Sequence, residues 1–135
     1  EKAFEAGDLD LVCEIETQIW FDGMDRTPEQ VNQEMRTLAY EMNRKALAHE
    51  AMKLGNRLPN TETLAFDRLA DLKIPVLVIV GAHDVPYIQG AADYMAKNIP
   101  SAKKVKMEDA AHLPNMDQPE EFQRIVADFL KSISS

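Results

Sequence analysis

The sequence predicts an α/β protein in which a helical segment precedes alternating strands and helices. Three observations support this fold class. Helical apolar spacing fills residues 1–60. The continuous apolar, β-branched run at residues 76–80 is typical of a parallel strand buried on both faces. Residues 61–135 then follow the order strand, helix, strand, helix, which indicates a right-handed parallel crossover unit.

The first long helix is predicted from Leu9 to about Trp20. Asp8 is suited to cap its N-terminus, and Phe21-Asp22-Gly23 breaks the pattern. Its predicted buried stripe has helical spacing and comprises Leu9, Val12, Ile15 and Ile19.

A second helix is predicted from Thr27 to about Lys53. Thr27-Pro28-Glu29-Gln30 combines a cap, a first-turn proline and a capping box. Its predicted apolar stripe comprises Val31, Met35, Leu38, Met42 and His49, with His49 partly buried as a packing residue. Because two amphipathic helices cannot bury both stripes alone, this segment must cover another surface.

The later elements are predicted from their residue patterns and from the glycine and proline residues at their ends. Residues 64–72 indicate a short helix or turn, and Gly81 ends the strand at 76–80. A helix is predicted at 87–98 and an edge strand at 103–107, where charged and apolar residues alternate. Pro119 opens a last amphipathic helix.

The predicted sheet is incomplete. Two parallel strands do not form a stable sheet alone, because parallel sheets need cover on both faces and further strands. The strand at 76–80 has the composition of a central strand, yet the chain offers it one partner. We therefore expect further strands from a missing N-terminal half or from a second copy of the chain.

Composition excludes several classes of function. The net charge is −8, and residues 1–25 contain eight acidic residues and one basic residue, which argues against nucleic acid as a partner. The only basic cluster, at residues 103–106, is interpreted as a solvated strand edge. The apolar runs are too short to span a membrane. Cys13 is the only cysteine, so an internal disulfide is excluded, and we interpret it as a packing residue. A single cysteine also fits a reducing, cytoplasmic compartment.

Asp84 and His112 are the candidate chemical groups. Each follows a predicted strand, and parallel strands present their carboxyl ends at one edge of a sheet. A carboxylate that accepts from one imidazole nitrogen leaves the other nitrogen free as a base. Alternatively, Asp84 caps the next helix and His112 is a satisfied loop histidine. The three histidines, including a solvent-facing His83, are too far apart for a metal site, and no cofactor is predicted.

Residues 72–130 resemble the C-terminal portion of the α/β-hydrolases. The matching segments are IPVLVIVGAHD and IPSAKKVKMEDAAHLPNMDQPEEFQRIVADFL. In that family a strand ending in Gly-x-x-Asp carries the triad acid and the next strand leads to the triad histidine, so the resemblance implies acid and base roles for Asp84 and His112. It also implies a helical cap or lid at residues 1–60 and the C-terminal part of the core at 61–135. AAHLPNMDQPEEF is most similar to esterases and lactonases such as the 3-oxoadipate enol-lactonases.

The sequence departs from the family at the nucleophile. It contains neither a Gly-x-Ser-x-Gly elbow nor the early loop that supplies an oxyanion donor. Residues 23–27 resemble an aspartate elbow only partly, since they follow a helix and end in Thr27. We therefore expect a C-terminal fragment of a serine-type hydrolase of small esters or lactones, inactive alone. The non-methionine start at Glu1 agrees with this expectation.

Three further residues are expected to contact substrate. Trp20 lies in the predicted lid, whereas Val85 and Leu113 directly follow the acid and the base. Four other lid side chains are expected either to line the pocket or to pack in the core, namely Phe21, Met24, Tyr40 and Met42. The alternative hypothesis is a non-enzymatic interaction module. Such a module would pair with another chain, or form a homodimer, through the exposed edge of its sheet.

Overall fold

The computed structural model describes residues 3, 6–53, 55 and 65–134. Residues 6–53 form a helical segment with α1 (Leu9–Thr17), which continues as a wider π-helical turn (Gln18–Asp22), a single 3₁₀ turn (Pro28–Gln30) and α2 (Gln33–Ala51). A second 3₁₀ turn (Ala65–Asp71) leads to β1 (Val76–Gly81), α3 (Pro86–Asn98), β2 (Ala102–Met107), α4 (Pro114–Asp117) and α5 (Pro119–Ile133). The predicted order is confirmed, whereas the predicted division near residues 55–60 lies outside the described residues except for Gly55.

α1 starts where the sequence predicts, but it ends at Thr17, the π-helical turn continues through Phe21 and Asp22, and the buried face differs from the predicted one. The Asp8 carboxylate accepts a hydrogen bond from the Leu11 N–H at 3.1 Å, and Gly23 ends the π-helical turn with a positive φ of 89°. The buried side chains are Cys13, Thr17 and Phe21, whereas the predicted Ile15 and Ile19 are exposed. Small buried side chains let α2 approach closely, and the Thr17 hydroxyl is satisfied by the Cys13 carbonyl at 2.8 Å.

The second helix begins later than predicted. The capping box at Thr27 and Gln30 forms, but it opens only the 3₁₀ turn. Val31 is then extended, with φ −112° and ψ 165°, and packs with Phe21 and Ala39. Asn32 caps α2 by accepting from the N–H groups of the first turn. Burial of Val31 therefore interrupts a helix that local signals alone would have continued.

The predicted stripe of α2 is also wrong in part. Leu38 and Met42 are 42% and 56% exposed, and His49 is exposed rather than partly buried. Ala39 and Leu47 are buried instead. Polar contacts between α1 and α2 determine which face of α2 is buried, and the spacing of apolar residues does not predict these contacts.

The two parallel strands are covered on both faces, as predicted. Their register runs from Val76 opposite Ala102 to Gly81 opposite Met107. On one face Val78 and Val80 pack against Ala92 of α3. On the other face Met107, Ala110 and Ile125 of α5 form a second cluster with Leu77, Ile79, Val105 and Phe122. Within the described part of the chain the sheet has these two strands, so β1 is paired along one edge.

No helix among the described residues is long and apolar enough to cross a membrane. The lysines of β2 project from its exposed positions, as the edge-strand pattern predicts. Lys104 forms an ion pair with Asp93 of α3.

Candidate active site

Backbone hydrogen bonds join the loops that follow β1 and β2. The Ala82 N–H donates to the Met107 carbonyl at 2.8 Å, and the His83 N–H donates to the Ala110 carbonyl at 3.0 Å. A Cβ atom at Gly81 would lie 2.2 Å from the carbonyl oxygen of Ala110, so only glycine allows this approach. Gly81 therefore does more than end a strand, because it lets the two loops meet.

Asp84 and His112 contact each other at the meeting point of these loops. Asp84 Oδ2 lies 2.8 Å from His112 Nδ1, and Asp84 Oδ1 accepts from the Val85 N–H at 2.7 Å. Asp84 is only 3% exposed, so its charge is stabilised by these donors rather than by water. Val85, and not Asp84, is the N-cap of α3, and no side chain caps this helix. The alternative interpretation of Asp84 as a helix cap is therefore wrong.

The contact with Asp84 determines how His112 can act. A carboxylate accepts a proton but cannot donate one when ionised, so it favours the tautomer with the proton on Nδ1. The lone pair of the neutral ring is then on Nε2. The side chain of His112 is 38% exposed, and no hydrogen bond joins Nε2 to another described residue. This arrangement suits a general base that reacts with a group from outside the described residues.

Trp20 covers the imidazole from the helical segment. Its ring centroid lies 4.8 Å from that of His112, with a tilt of 51°. The Trp20 carbonyl accepts from the His112 N–H at 3.1 Å, and the ring packs edge-on against Tyr87 at 6.4 Å. Both backbone and ring of Trp20 therefore contact the loop that carries the candidate base.

An open cavity of about 570 Å³ lies between the helical segment and the loop after β2. Most of its lining is apolar. The lining residues are Glu16, Thr17, Trp20, Phe21, Ala39, Met42, Asn43, Ala46, His112, Leu113, Asn115 and Met116.

Two of the three expected substrate contacts lie on this cavity. Trp20 and Leu113 line it beside His112. Val85 is buried away from the lining, and its N–H holds Asp84. Phe21 and Met42, which the sequence left open as pocket or core residues, also line the cavity. The other lining residues of α2, at positions 39, 43 and 46, were not predicted, although they share helical spacing with Met42.

Among the described residues that line the cavity, Glu16 is the one carboxylate, and none is a lysine or an arginine. Glu16 Oε2 accepts from Asn43 Nδ2 at 2.7 Å, and both residues line the cavity. The wall thus combines apolar area with a polar pair, which is usual for sites that bind small organic molecules.

Arg36 fixes α2 to the end of α1. Its guanidinium donates to Asp22 Oδ1 from Nε at 2.9 Å and to Glu14 Oε1 from Nη2 at 2.7 Å. Asp22 is 1% exposed. The hydrogen bond from Arg36 lowers the pKa of Glu14, while the two carboxylates together raise the pKa of Arg36. These ion pairs fix the orientation of the two helices that form the cavity wall.

Cys13 is buried, and His83 is paired with a carboxylate. Cys13 is fully buried and its Sγ donates to the Tyr40 carbonyl at 3.1 Å, as its interpretation as a packing residue predicts. Burial raises the pKa of this thiol, and Glu16 and Glu14 raise it further. His83 is only partly exposed and contacts Asp25, with 2.5 Å between Nδ1 and Oδ1. Within the described ranges, no cluster of histidine, cysteine and acidic side chains could hold a metal ion.

Comparisons with known proteins find proteins of similar sequence and similar fold. The chain is 36% identical over 67 residues to 3-oxoadipate enol-lactonase 1 of Acinetobacter baylyi, a match covering 50% of this chain and 25% of the lactonase. A thermophilic esterase from Thermogutta terrifontis superposes with a TM-score of 0.70 at 24% identity, over 93% of this chain and 44% of the esterase. The enol-lactonase of Burkholderia xenovorans gives 0.61 at 22% identity, over 91% of this chain and 45% of the lactonase. No family model matches the sequence.

A bromoperoxidase from Bacillus anthracis also superposes, with a TM-score of 0.69 at 21% identity, over 97% of this chain and 46% of that protein. The chain thus spans less than half the length of these solved structures. At such identities the structural likeness shows a shared fold. The local match to the lactonase adds similarity of sequence over half of this chain.

Proposed function

Because this chain has the C-terminal portion of the α/β-hydrolase fold, we propose that it supplies the acid and the base of an ester or lactone hydrolase. The observation that carries the proposal is the 2.8 Å contact between Asp84 and His112 beside the cavity. An ester or lactone bond is proposed because an esterase and two enol-lactonases are among the similar proteins.

In the proposed reaction His112 Nε2 takes the proton of an attacking hydroxyl and later gives it to the leaving oxygen. Asp84 keeps the ring in the required tautomer and stabilises the imidazolium that forms between these steps. Its burial helps, because an ion pair is stronger where water is excluded. No metal or cofactor is needed for such proton transfers.

We further propose that the nucleophile and the oxyanion donors come from residues outside this sequence. The described serines support this, since each hydroxyl donates to a backbone carbonyl rather than to His112. Ser101 donates to Ile74, Ser132 to Phe129 and Ser134 to Leu130. No Gly-x-Ser-x-Gly occurs in the sequence.

The proposed substrate is a small ester or lactone whose body is apolar and carries no negative charge. The apolar lining of the cavity favours burial of such a body. The carboxylate of Glu16 repels an anion, and none of the described lining residues is a lysine or an arginine that would attract one. In this proposal the helical segment, with Trp20, serves as the lid over the substrate.

The test of the proposed active site uses the chain and its His112→Ala variant with p-nitrophenyl acetate and a fluorophosphonate probe. We expect no turnover that depends on His112 and no labelled serine, because the nucleophile is not in this sequence. Turnover by the chain that is lost in His112→Ala would contradict the proposed origin of the nucleophile. The gene sequence upstream of Glu1 provides the complementary check, and the proposal predicts a Gly-x-Ser-x-Gly there.

A second candidate function is an interaction module. It is favoured by β1, which pairs only with β2 within the described ranges and so offers its other edge to a further strand. In this case two copies would join their sheets about a two-fold axis. Light scattering decides between the candidates, because a folded monomer across a wide range of concentration contradicts self-association.

A further inference from the structure

We infer that Arg26 and Asp117 are positioning residues for His112. In this inference one guanidinium fastens the helical segment to the loop that carries the base, so that His112 meets Asp84 only while the helical segment is docked. The inference rests on the proposed function of the Asp84–His112 pair.

Asp117 holds the backbone directly before the base. It lies in the short α4 and is buried. Its Oδ2 atom accepts from the Ala111 N–H at 3.0 Å and from Arg26 Nη2 at 2.6 Å. Since Ala111 precedes His112 in the chain, a shift of the Asp117 carboxylate moves the Cα atom of the base.

Arg26 makes contacts on both sides of the junction. Toward the helical segment, Nε donates to the Asp22 carbonyl at 2.7 Å and Nη2 to the Phe21 carbonyl at 2.9 Å. Toward the loop after β2, Nη1 donates to the Asp109 carbonyl at 2.9 Å. These carbonyls and the Asp117 carboxylate surround one planar group. A lysine has a single point of donation and cannot reproduce this geometry.

The same turn of the helical segment contacts His112 directly. The carbonyl of Trp20, adjacent to Phe21, accepts from the His112 N–H at 3.1 Å. The loop of the acid is also tied to this segment, because the Met24 N–H donates to the His83 carbonyl at 3.0 Å. Loss of Arg26 therefore loosens the segment against both loops. The 2.8 Å contact between Asp84 Oδ2 and His112 Nδ1 depends on both loops being held.

The test is proton NMR of the 135-residue chain with ¹⁵N-labelled histidine. A ring N–H that donates to a buried carboxylate is expected to give a strongly downfield proton that exchanges slowly with water. We expect this His112 resonance in the unsubstituted chain. We expect it to be lost or displaced upfield in Arg26→Met and weakened in Asp117→Asn, which keeps an acceptor for Ala111 but loses the charge. Arg26→Lys should restore it only in part.

Arg36→Met is the matched control. Arg36 also pairs with a buried aspartate of the helical segment, but its hydrogen bonds to described residues stay within that segment. We expect this variant to lose stability and to keep the His112 resonance. The comparison separates positioning of the base from a general loss of folding.

Each outcome has a distinct meaning. A resonance unchanged in folded Arg26→Met and Asp117→Asn would overturn the inference and leave the acid–base pair intact. A resonance lost equally in folded Arg36→Met would also overturn it, since the effect would then be general. Absence of the resonance from the folded, unsubstituted chain would contradict the proposed function itself, and the inference with it. If Arg26→Met does not fold, Arg26→Lys and Asp117→Asn decide the question.

Discussion

Arg36→Met is expected to destabilise the chain more than any exposed ion-pair substitution in the helical segment. The variant keeps the length of the side chain and its apolar stem but removes the guanidinium. Asp22, which is 1% exposed, then loses the donor contacts that compensate its charge. The substitution therefore leaves a buried carboxylate without a partner, which destabilises the folded chain.

The expected loss of stability follows from how deeply each of the two carboxylates that contact Arg36 is buried. Breaking a buried ion pair from one side costs about 3–5 kcal/mol. The side chain of Glu14 is 38% exposed, so solvent screens its contact, which contributes only about 0–1 kcal/mol. The contact with Asp22 therefore dominates. Arg44→Met on the same helix is the matched control, because Arg44 and Asp10 pair at 2.6 Å with both side chains exposed. It should cost about 0–1 kcal/mol.

Urea unfolding measures both variants, with the fluorescence of the single Trp20 and circular dichroism as probes. With a slope of about 1–3 kcal/mol per molar urea, the midpoint of Arg36→Met should fall by at least about 1 M, and that of Arg44→Met by much less. Asp22→Asn in the Arg36→Met background should recover part of the loss, because a neutral amide is cheaper to bury. Equal losses in Arg36→Met and Arg44→Met, or no recovery by Asp22→Asn, would refute the reasoning.

Three further outcomes are expected. Arg36 holds the pKa of Glu14 below its ordinary range, so this pair stabilises the fold above about pH 4.3, and the stabilisation is lost as the pH falls further. When the unfolding midpoint is measured against pH, Arg36→Met should therefore lose less stability in acid than the unsubstituted chain. Burial raises the pKa of Cys13, so its thiol should resist a disulfide reagent in the native chain and react in urea, and rapid native reaction would contradict that burial. Gly81→Ala should destabilise the chain by about 1–3 kcal/mol. Gly90→Ala, at a helical position where a Cβ atom meets nothing within 4 Å, should stabilise it by about 0.5–1 kcal/mol. Similar effects of the two changes would count against the close approach of the loops.

The strand–helix–strand–helix part was predictable because its signals are local and reinforce one another. The apolar run at residues 76–80 and the alternation at 103–107 specify two different strand environments. Because paired parallel strands end at the same edge of the sheet, the sequence alone predicts that Asp84 and His112 lie close together. Their predicted roles in catalysis remain a proposal.

The packing of the helical segment was less predictable, since polar contacts decide it. Apolar spacing selected Ile15 and Leu38 for burial, yet the helices meet through Cys13, Thr17 and Ala39. Interruption of the second helix at residue 31 depends on a tertiary cluster rather than on its capping box.

The junction with the loop after β2 was invisible to the sequence for a different reason. Arg26 and Asp117 are 91 positions apart, and nothing in their local patterns connects them. Their partnership becomes apparent only when the elements that carry them have packed. Positioning contacts of this kind are recognised only in the folded structure, even where the residues that they position can be predicted from the sequence.

Asp84 is proposed to orient His112 as a base, and the tautomer of the His112 ring reports this orientation. In a ¹H–¹⁵N correlation spectrum of the neutral ring, the account predicts a protonated Nδ1, a bare Nε2, and loss of this arrangement in Asp84→Ala. A neutral ring protonated on Nε2, or a spectrum that Asp84→Ala leaves unchanged, would contradict the account.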